Sequence, residues 1–451
     1  MSSAAASTSK ARDEQSFDVE PVDRVAMYRR IAWRLMPFLI ISYVINAIDR
    51  TNISMAQLRM ESDLGFTAEI YGIGVGIFYL GYVMFEVPSN VLLERVGIRK
   101  TLLRIMALWG IVSSCTMFVT TPTQFYIVRF LLGIAEAGFY PGVLLYITLW
   151  FPSAYRARIT AMFMIGMPLA SAIGSPLSGA IIVGMEGVAG LHGWQWMFLL
   201  EGLPAVFLGF AAIFILTDRP DDAQWLAPAE KAAIRVDLAA DHGVQSPNGR
   251  EGVGSLFRDP QFYMLAFVIF GAYALTGASL WTPLLLRDAG IASVAGIGFL
   301  SAAPPLVSIA AMYLFARRSD KMRERRWHFF ATLLIGASAL SLLAVLPLSP
   351  LLVIVLQTVA MCCSFAGGTL LTGIFAAFLP DRARAAGIAM LTSTGASAAI
   401  VTPMAIGQLR VATGDFSIAL VMLSVVVVVA ALVFIMGIPK SRINECLAAA
   451  S

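Results

Sequence analysis

The chain has 451 residues, 58% of them hydrophobic and only 13% charged. A soluble domain averages about 45–50% apolar and 25% charged residues, so the composition excludes a water-soluble globular protein and points to a polytopic membrane protein. The net charge of +4 is small, and the basic residues fall in short segments between apolar stretches rather than on one face, which argues against nucleic acid as a partner.

The first 30 residues are polar and of mixed charge, without the pattern of a cleavable signal peptide, so the first apolar stretch must itself direct insertion. About 20 apolar residues are needed to cross the hydrocarbon as a helix. Such stretches run over 31–56, 68–93, 101–119, 123–150, 157–183 and 194–216, and then over 260–286, 294–316, 327–346, 350–378, 384–410 and 416–437. The sequence therefore predicts an all-α membrane protein with twelve spans. The basic residues test that count independently. Of the 32 Lys and Arg, all but Arg50, Arg59, Arg129, Arg287 and Arg410 lie in or beside the N-terminal tail, the loops after even-numbered spans or the C-terminal tail. Basic loops stay on the cytoplasmic side, which predicts both termini inside and a multi-pass protein of the cytoplasmic (inner) membrane.

One long connection, 217–259, is charged and rich in Gly, Pro and Asp, and contains a predicted surface helix in PAEKAAIRVDLAADHG that ends at Gly243. It divides the chain into a tail (1–30), a six-span half (31–216), a cytoplasmic linker that reads as a tether, a second six-span half (260–437) and a tail (438–451). A repeat supports the division. Glu94-Arg95-Val96-Gly97-Ile98-Arg99-Lys100 follows span 2, and Asp320-Lys321-Met322-Arg323-Glu324-Arg325-Arg326 follows span 8 at an offset of 226. RAR at 156–158 recurs at 382–384 with the same offset. Two six-span halves related in this way form a transporter plan.

Four charges lie inside spans: Asp49 and Arg50 in span 1, Arg129 and Glu136 in span 4. Each costs roughly 2.5–3.5 kcal/mol at the bilayer centre on insertion scales, so such residues mark a polar path or pair with one another. Pairing alone, to hold spans 1 and 4 together, is a poor use of them because buried ion pairs stabilise weakly. Arg129 and Glu136 are seven residues apart, which brings them within roughly 20° of one helix face. Gly133 and Gly138 would admit a neighbouring helix. Asp49 and Arg50 are adjacent and diverge by about 100°; Arg50 is expected in the cavity and Asp49 toward span 4. A guanidinium fork suits a carboxylate, which makes Arg50 and Arg129 candidates for binding an anionic substrate. Low dielectric favours the protonated acid and a nearby Arg the ionised one, so Asp49 and Glu136 are candidates for carrying protons.

Tyr79, Tyr82 and Glu86 share one face of span 2, with the tyrosines candidates for the cavity and Glu86 for a structural bond nearer the cytoplasm. Glu201 on span 6 reads as structural; Trp281 and Tyr273 on span 7 could line the cavity, though aromatics there are more often packing. Glu94, Arg95, Gly97, Arg99 and Lys100, with Asp320 and Arg325, read as a cytoplasmic latch between transport states. No metal cluster, phosphate loop or nucleophile motif is present, so neither an enzyme nor a cofactor is expected, and a proton gradient is the expected energy source.

The segment Glu94–Lys100 resembles the loop 2–3 signature of the major facilitator superfamily, with Asn90 where that signature begins with glycine. Asp49-Arg50-Thr51-Asn52, FEVPSN (85–90), RFLLGIAEAGFYPG (129–142), WFPSAYRAR (150–158) and GWQWMFLLEGLPA (193–205) resemble the anion:cation symporter branch of that superfamily over about residues 30–440. The resemblance implies a monomeric symporter of protons and a small organic anion, with Asp49 and Glu136 in the places of proton-coupling acids and Arg50 and Arg129 in those of substrate-binding arginines. It also puts Tyr82 where related carriers touch substrate. Ala47 and Ala396 stand where many such carriers have Tyr and Asn. Loss of those polar groups favours an aromatic acid such as phthalate or hydroxyphenylacetate over a sugar acid, since unmatched hydroxyls are costly to bury; tartrate-like dicarboxylates and a proton-driven exporter are the alternatives.

Overall fold

The computed structural model describes residues 22–242, 254, 256–322, 324–379 and 384–444. Among the described residues twelve helices are long and apolar enough to cross a membrane: α1 Arg24–Leu64, α2 Ala68–Leu93, α3 Ile98–Phe118, α4 Pro122–Trp150, α5 Ser153–Gly184, α6 Gly193–Ile215, α7 Pro260–Asp288, α8 Val294–Ser319, α9 Arg326–Val345, α10 Pro350–Phe375, α11 Ala386–Thr413 and α12 Ser417–Gly437. Several starts are written locally. Thr121-Pro122, Asp259-Pro260 and Ser349-Pro350 each place a capping side chain before a proline at the first helical position, where the missing N–H costs nothing.

The two halves repeat one packing plan. In the first half α2 packs on α4, and α3 and α1 on α6; six helices later α8 packs on α10, and α9 and α7 on α12. Between halves α2 meets α11 and α5 meets α8, which is the same exchange seen from either side. Hereafter the end carrying the basic loops is the basic face and the other end the opposite face. The halves close tightly at the opposite face. A Cβ on Gly72 would lie 2.3 Å from the Pro403 carbonyl oxygen, and one on Gly407 2.4 Å from that of Ala68. The Tyr71 hydroxyl donates across the seam to the Leu280 carbonyl at 3.2 Å. Arg287 pairs with Glu61 at 2.6 Å, and beside it Arg410 pairs with Asp288 at 2.8 Å. None of these contacts was expected from sequence.

The linker is more than a tether. Its helix runs Pro228–His242 and docks on the basic face of the first half. Asp237 accepts from the Tyr28 hydroxyl at 3.0 Å and pairs with Arg24 at 3.0 Å; Arg30 pairs with Glu230, and the Ser153 hydroxyl donates to Asp241 at 2.7 Å. Trp225 stacks on Trp150 with centroids 5.7 Å apart, and Ile234 is fully buried in the first half's core.

Around the predicted latch, Arg99 donates to the Ile213 carbonyl, and its backbone N–H donates to Asp218 at 3.0 Å. Gly97 lies against the same carboxylate, 2.8 Å from where its Cβ would be. These contacts tie the start of α3 to the end of α6 within one half. Arg95 and Lys100 are exposed. The Arg325 guanidinium lies against Gly373 of α10. The side chains of Glu94 and Asp320, and residues 382–383 of the second RAR triplet, lie outside the described residues.

Candidate functional site: a buried charge cluster

α4 is not one continuous rod. Its first segment, Pro122–Glu136, stops at Ala137, and Gly138 takes φ +90°, a left-handed conformation that favours glycine. Glu136 is therefore the last helical residue before a break, and its carboxylate turns fully into the protein. There it accepts a hydrogen bond from Asn46 Nδ2 at 2.8 Å and one from Arg50 Nε at 2.6 Å, the latter an ion pair. Glu136 Oε1 and Arg50 Nη2 are buried without a hydrogen-bond partner. Of the four charged side chains Arg50 is the most open, 17% exposed, whereas Arg129 and Asp49 are each 1% exposed.

Aromatic rings of α2 hold the guanidinium groups. Arg50 Cζ lies 4.7 Å from the Tyr82 ring centre and 5.7 Å from that of Phe78; Arg129 Cζ lies 4.9 Å from Phe78. A desolvated cation over an aromatic face gains roughly 2 kcal/mol, which offsets part of the cost of burying the two charges. Tyr79 packs edge-on against Phe78, with centroids 5.1 Å apart. Gly133 of α4 backs onto the Phe78 carbonyl, as the glycine spacing implied, and this close approach brings α2 to the cluster. Arg129 Nε and Nη1 have no hydrogen-bond partner.

Asp49 lies near Arg129 and Glu136 of α4, as expected, but its hydrogen bonds go elsewhere. It does not bond to α4 but accepts from the Ser113 hydroxyl of α3 and from Asn52 Nδ2 at 3.1 Å. The reason is donor supply: Arg129, its cation on α4, is held over Phe78, while the Ser113 hydroxyl is fully buried and free to donate. Asp49 Oδ2 is left without a partner. Each acid in the cluster thus has one oxygen bound and one oxygen open.

The model of the Major Facilitator Superfamily matches residues 39–403. The chain belongs to the Major Facilitator Superfamily. The "Putative metabolite transport protein NicT" of Pseudomonas putida is 42% identical to it, over 88% of this chain and 90% of that one. A "Putative tartrate transporter" of Agrobacterium vitis is 41% identical, over 90% and 93%. The "Quinolone resistance transporter" of Acinetobacter baumannii is 36% identical, over 88% and 92%. Among solved structures, a bacterial homologue of the lysosomal transporter Spinster, in an inward-facing and unoccupied conformation, superposes with a TM-score of 0.74 at 18% identity, over 93% of this chain and 98% of that one.

As a Major Facilitator Superfamily member the chain is a multi-pass membrane transporter and not an enzyme. The structure brings Arg50, Glu136 and Tyr82 together, with Tyr79 reaching them through Phe78 and with Arg129 and Asp49 more deeply buried. Glu86, half-buried one turn beyond Tyr82, lies on the same α2 face. Trp281 is fully buried between Tyr71 and Phe416, so it packs rather than lines a cavity. Ala47 is also buried, against Ile48 and Ala170 of α5, and so lines no open cavity. The apolar-substrate argument built on it therefore loses one of its two supports, because a side chain there meets α5 and not cargo; half-buried Ala396 remains. Asn46, Phe78 and Ser113 were missed from sequence. Asn46 lies four residues before Arg50 and Phe78 four before Tyr82, a spacing that would have found both.

Proposed function

We propose that this transporter is a proton-coupled symporter of a small organic carboxylate in the cytoplasmic membrane, with the basic face inside. The observation that carries the proposal is the buried Arg50–Glu136 pair with Arg50 Nη2 unpartnered and the Arg50 side chain the most exposed of the cluster. An anion competing for that guanidinium must displace Glu136. Protonating Glu136 removes its charge and releases Arg50 Nε, which restores the planar fork that binds a carboxylate through two parallel hydrogen bonds. Tyr82 lies against the fork, and Tyr79 backs onto Phe78 beside it. Arg129 adds positive charge from behind Phe78, and Asp49, between Ser113, Asn52 and Arg129, is the second proton-carrying acid. Cargo and protons leave together on the other side once the halves have rocked.

Relatives named for tartrate support a dicarboxylate as cargo, and the apolar position 396 supports an aromatic acid. The test is uptake into proteoliposomes of radiolabelled L-tartrate, phthalate and 4-hydroxyphenylacetate under an imposed inward proton gradient. At least one acid accumulates in wild type, and Glu136→Gln abolishes gradient-driven accumulation while retaining anion exchange. Failure of all three to accumulate refutes coupling for these acids. A relative named for quinolone resistance supports a second reading, proton-driven export; it predicts proton entry coupled to loss of preloaded substrate from the same vesicles.

A further inference from the structure

Among the described residues one buried acid stands outside the cluster. Glu201 on α6 is 5% exposed and sits about 12 Å along the helix from its start at the opposite face. Its Oε1 accepts from the Ser178 hydroxyl of α5 at 2.8 Å. Its Oε2 is buried without a partner. The Asn52 side chain lies beside Glu201 but gives Oε2 no hydrogen bond; Asn52 Nδ2 donates to Asp49 at 3.1 Å, and Asn52 Oδ1 is itself buried and unpartnered.

Along the line from Glu201 to Asp49 three unsatisfied atoms are acceptors. Glu201 Oε2, Asn52 Oδ1 and Asp49 Oδ2 each lack a donor, and one added proton supplies one. Among the described residues no cation pairs with Glu201. From α1 it faces Asn52 and, at longer range, a second acid, Asp49; from α5 it meets the Ser178 hydroxyl; and on α3 the Gly110–Ser114 stretch packs on its neighbour Gly202. The charged residues of α3 lie at its basic end, where Arg99 bonds Ile213 and Arg104 bonds Ser89, and those of α5 lie at Arg156 and Arg158. An unpaired, ionised carboxylate in such a place costs several kcal/mol, whereas a protonated one completes the hydrogen bonding.

We infer that Glu201 is a third proton-carrying acid, which takes a proton from the opposite face and delivers it to Asp49 past Asn52. In the step, the O–H bond on Glu201 breaks, one forms on Asp49 Oδ2, and Glu201 is reprotonated from solvent at the opposite face. With Asn52 between them, the two acids stand one hydrogen-bonding group apart, a span that one water or a swing of the amide covers. The inference rests on the proposed proton coupling, but its first test does not.

That test is infrared spectroscopy of the full chain in nanodiscs, with no substrate, using ¹³C-carboxyl-labelled glutamate to separate glutamic from aspartic acids. At neutral pH a protonated glutamic-acid carbonyl band is present in wild type, persists in Glu136→Gln and disappears in Glu201→Gln. A Glu201→Gln spectrum that loses no such band overturns the inference. The second test is L-tartrate flux in proteoliposomes. Glu201→Gln keeps exchange but loses gradient-driven accumulation, and Glu201→Asp, which retains an acid, recovers part of it. Wild-type accumulation in Glu201→Gln overturns the relay. If wild type itself does not accumulate L-tartrate, coupling for that acid is what fails, and the infrared band decides the protonation of Glu201 independently. If Glu201→Gln does not fold, the band is read by its response to Glu201→Asp, and an unchanged band there overturns the inference.

Discussion

Adding one methyl group at Gly72 should push the two halves apart at the opposite face. The Cβ of Gly72→Ala would lie 2.3 Å from the Pro403 carbonyl oxygen, where ordinary contact begins at 3.4 Å. The obstacle is backbone, so no side chain can turn aside; α2 and α11 must separate by about 1 Å. Overpacking of this kind costs about 1–3 kcal/mol. The clash exists only while the opposite face is closed, so the cost falls on that state and shifts the equilibrium roughly 5- to 150-fold toward the alternative. The assay is pulsed electron paramagnetic resonance between spin labels at Ser62 and Thr413, both exposed at the opposite face on different halves, in a background without native cysteines. The longer-distance population grows in the variant. A distance distribution identical to that of wild type, in a protein that remains folded, refutes the argument that this seam sets the balance between states.

Three further outcomes follow from the geometry. Arg50→Lys keeps the charge but loses Nε and the fork; hydrogen bonds to charged groups are worth about 1.5–3 kcal/mol, so substrate affinity in equilibrium binding falls roughly 10- to 150-fold, and unchanged affinity moves recognition away from Arg50. Glu61→Gln breaks the Arg287 pair, but both side chains are at least 30% exposed, and such pairs are worth about 0.2–1 kcal/mol; the same spin-label distances then shift less than in Gly72→Ala, and a larger shift contradicts this ranking. Asp237→Ala removes the anchor to Arg24 and Tyr28, so trypsin cuts sooner at Lys231 and Arg235 while transport changes little; unchanged cleavage shows that other contacts hold the linker helix.

The spans were legible because hydropathy is a one-dimensional signal. Arg129 and Glu136 were placed correctly on one inward face because their seven-residue spacing lies within one helical segment. The partner of Asp49 was not legible. Adjacency dictates that Asp49 and Arg50 diverge, but not which helix receives each, and Ser113 looks like any serine that bonds its own helix, as Ser114 does with Gly110. The opposite-face seam was equally hidden. Gly72 and Gly407 read as small residues in apolar runs until α2 and α11, more than 300 residues apart in the chain, are seen in contact. The linker's docking surface escaped because Asp237 and Glu230 look like a solvated helix face when their arginine partners lie 200 or more residues upstream.

The cluster at α1 and α4 also has a consequence for voltage. Two arginines and two acids, all buried or nearly so, sum to zero formal charge when every group is ionised. Under the proposed symport, a monoanion entering with one proton leaves the sum at zero, and a dianion keeps it there only with two. Carriage on those terms moves no net charge across the bilayer, so accumulation responds to the pH difference and hardly to membrane potential. Clamping the potential with valinomycin and potassium while holding pH equal on both sides measures this directly.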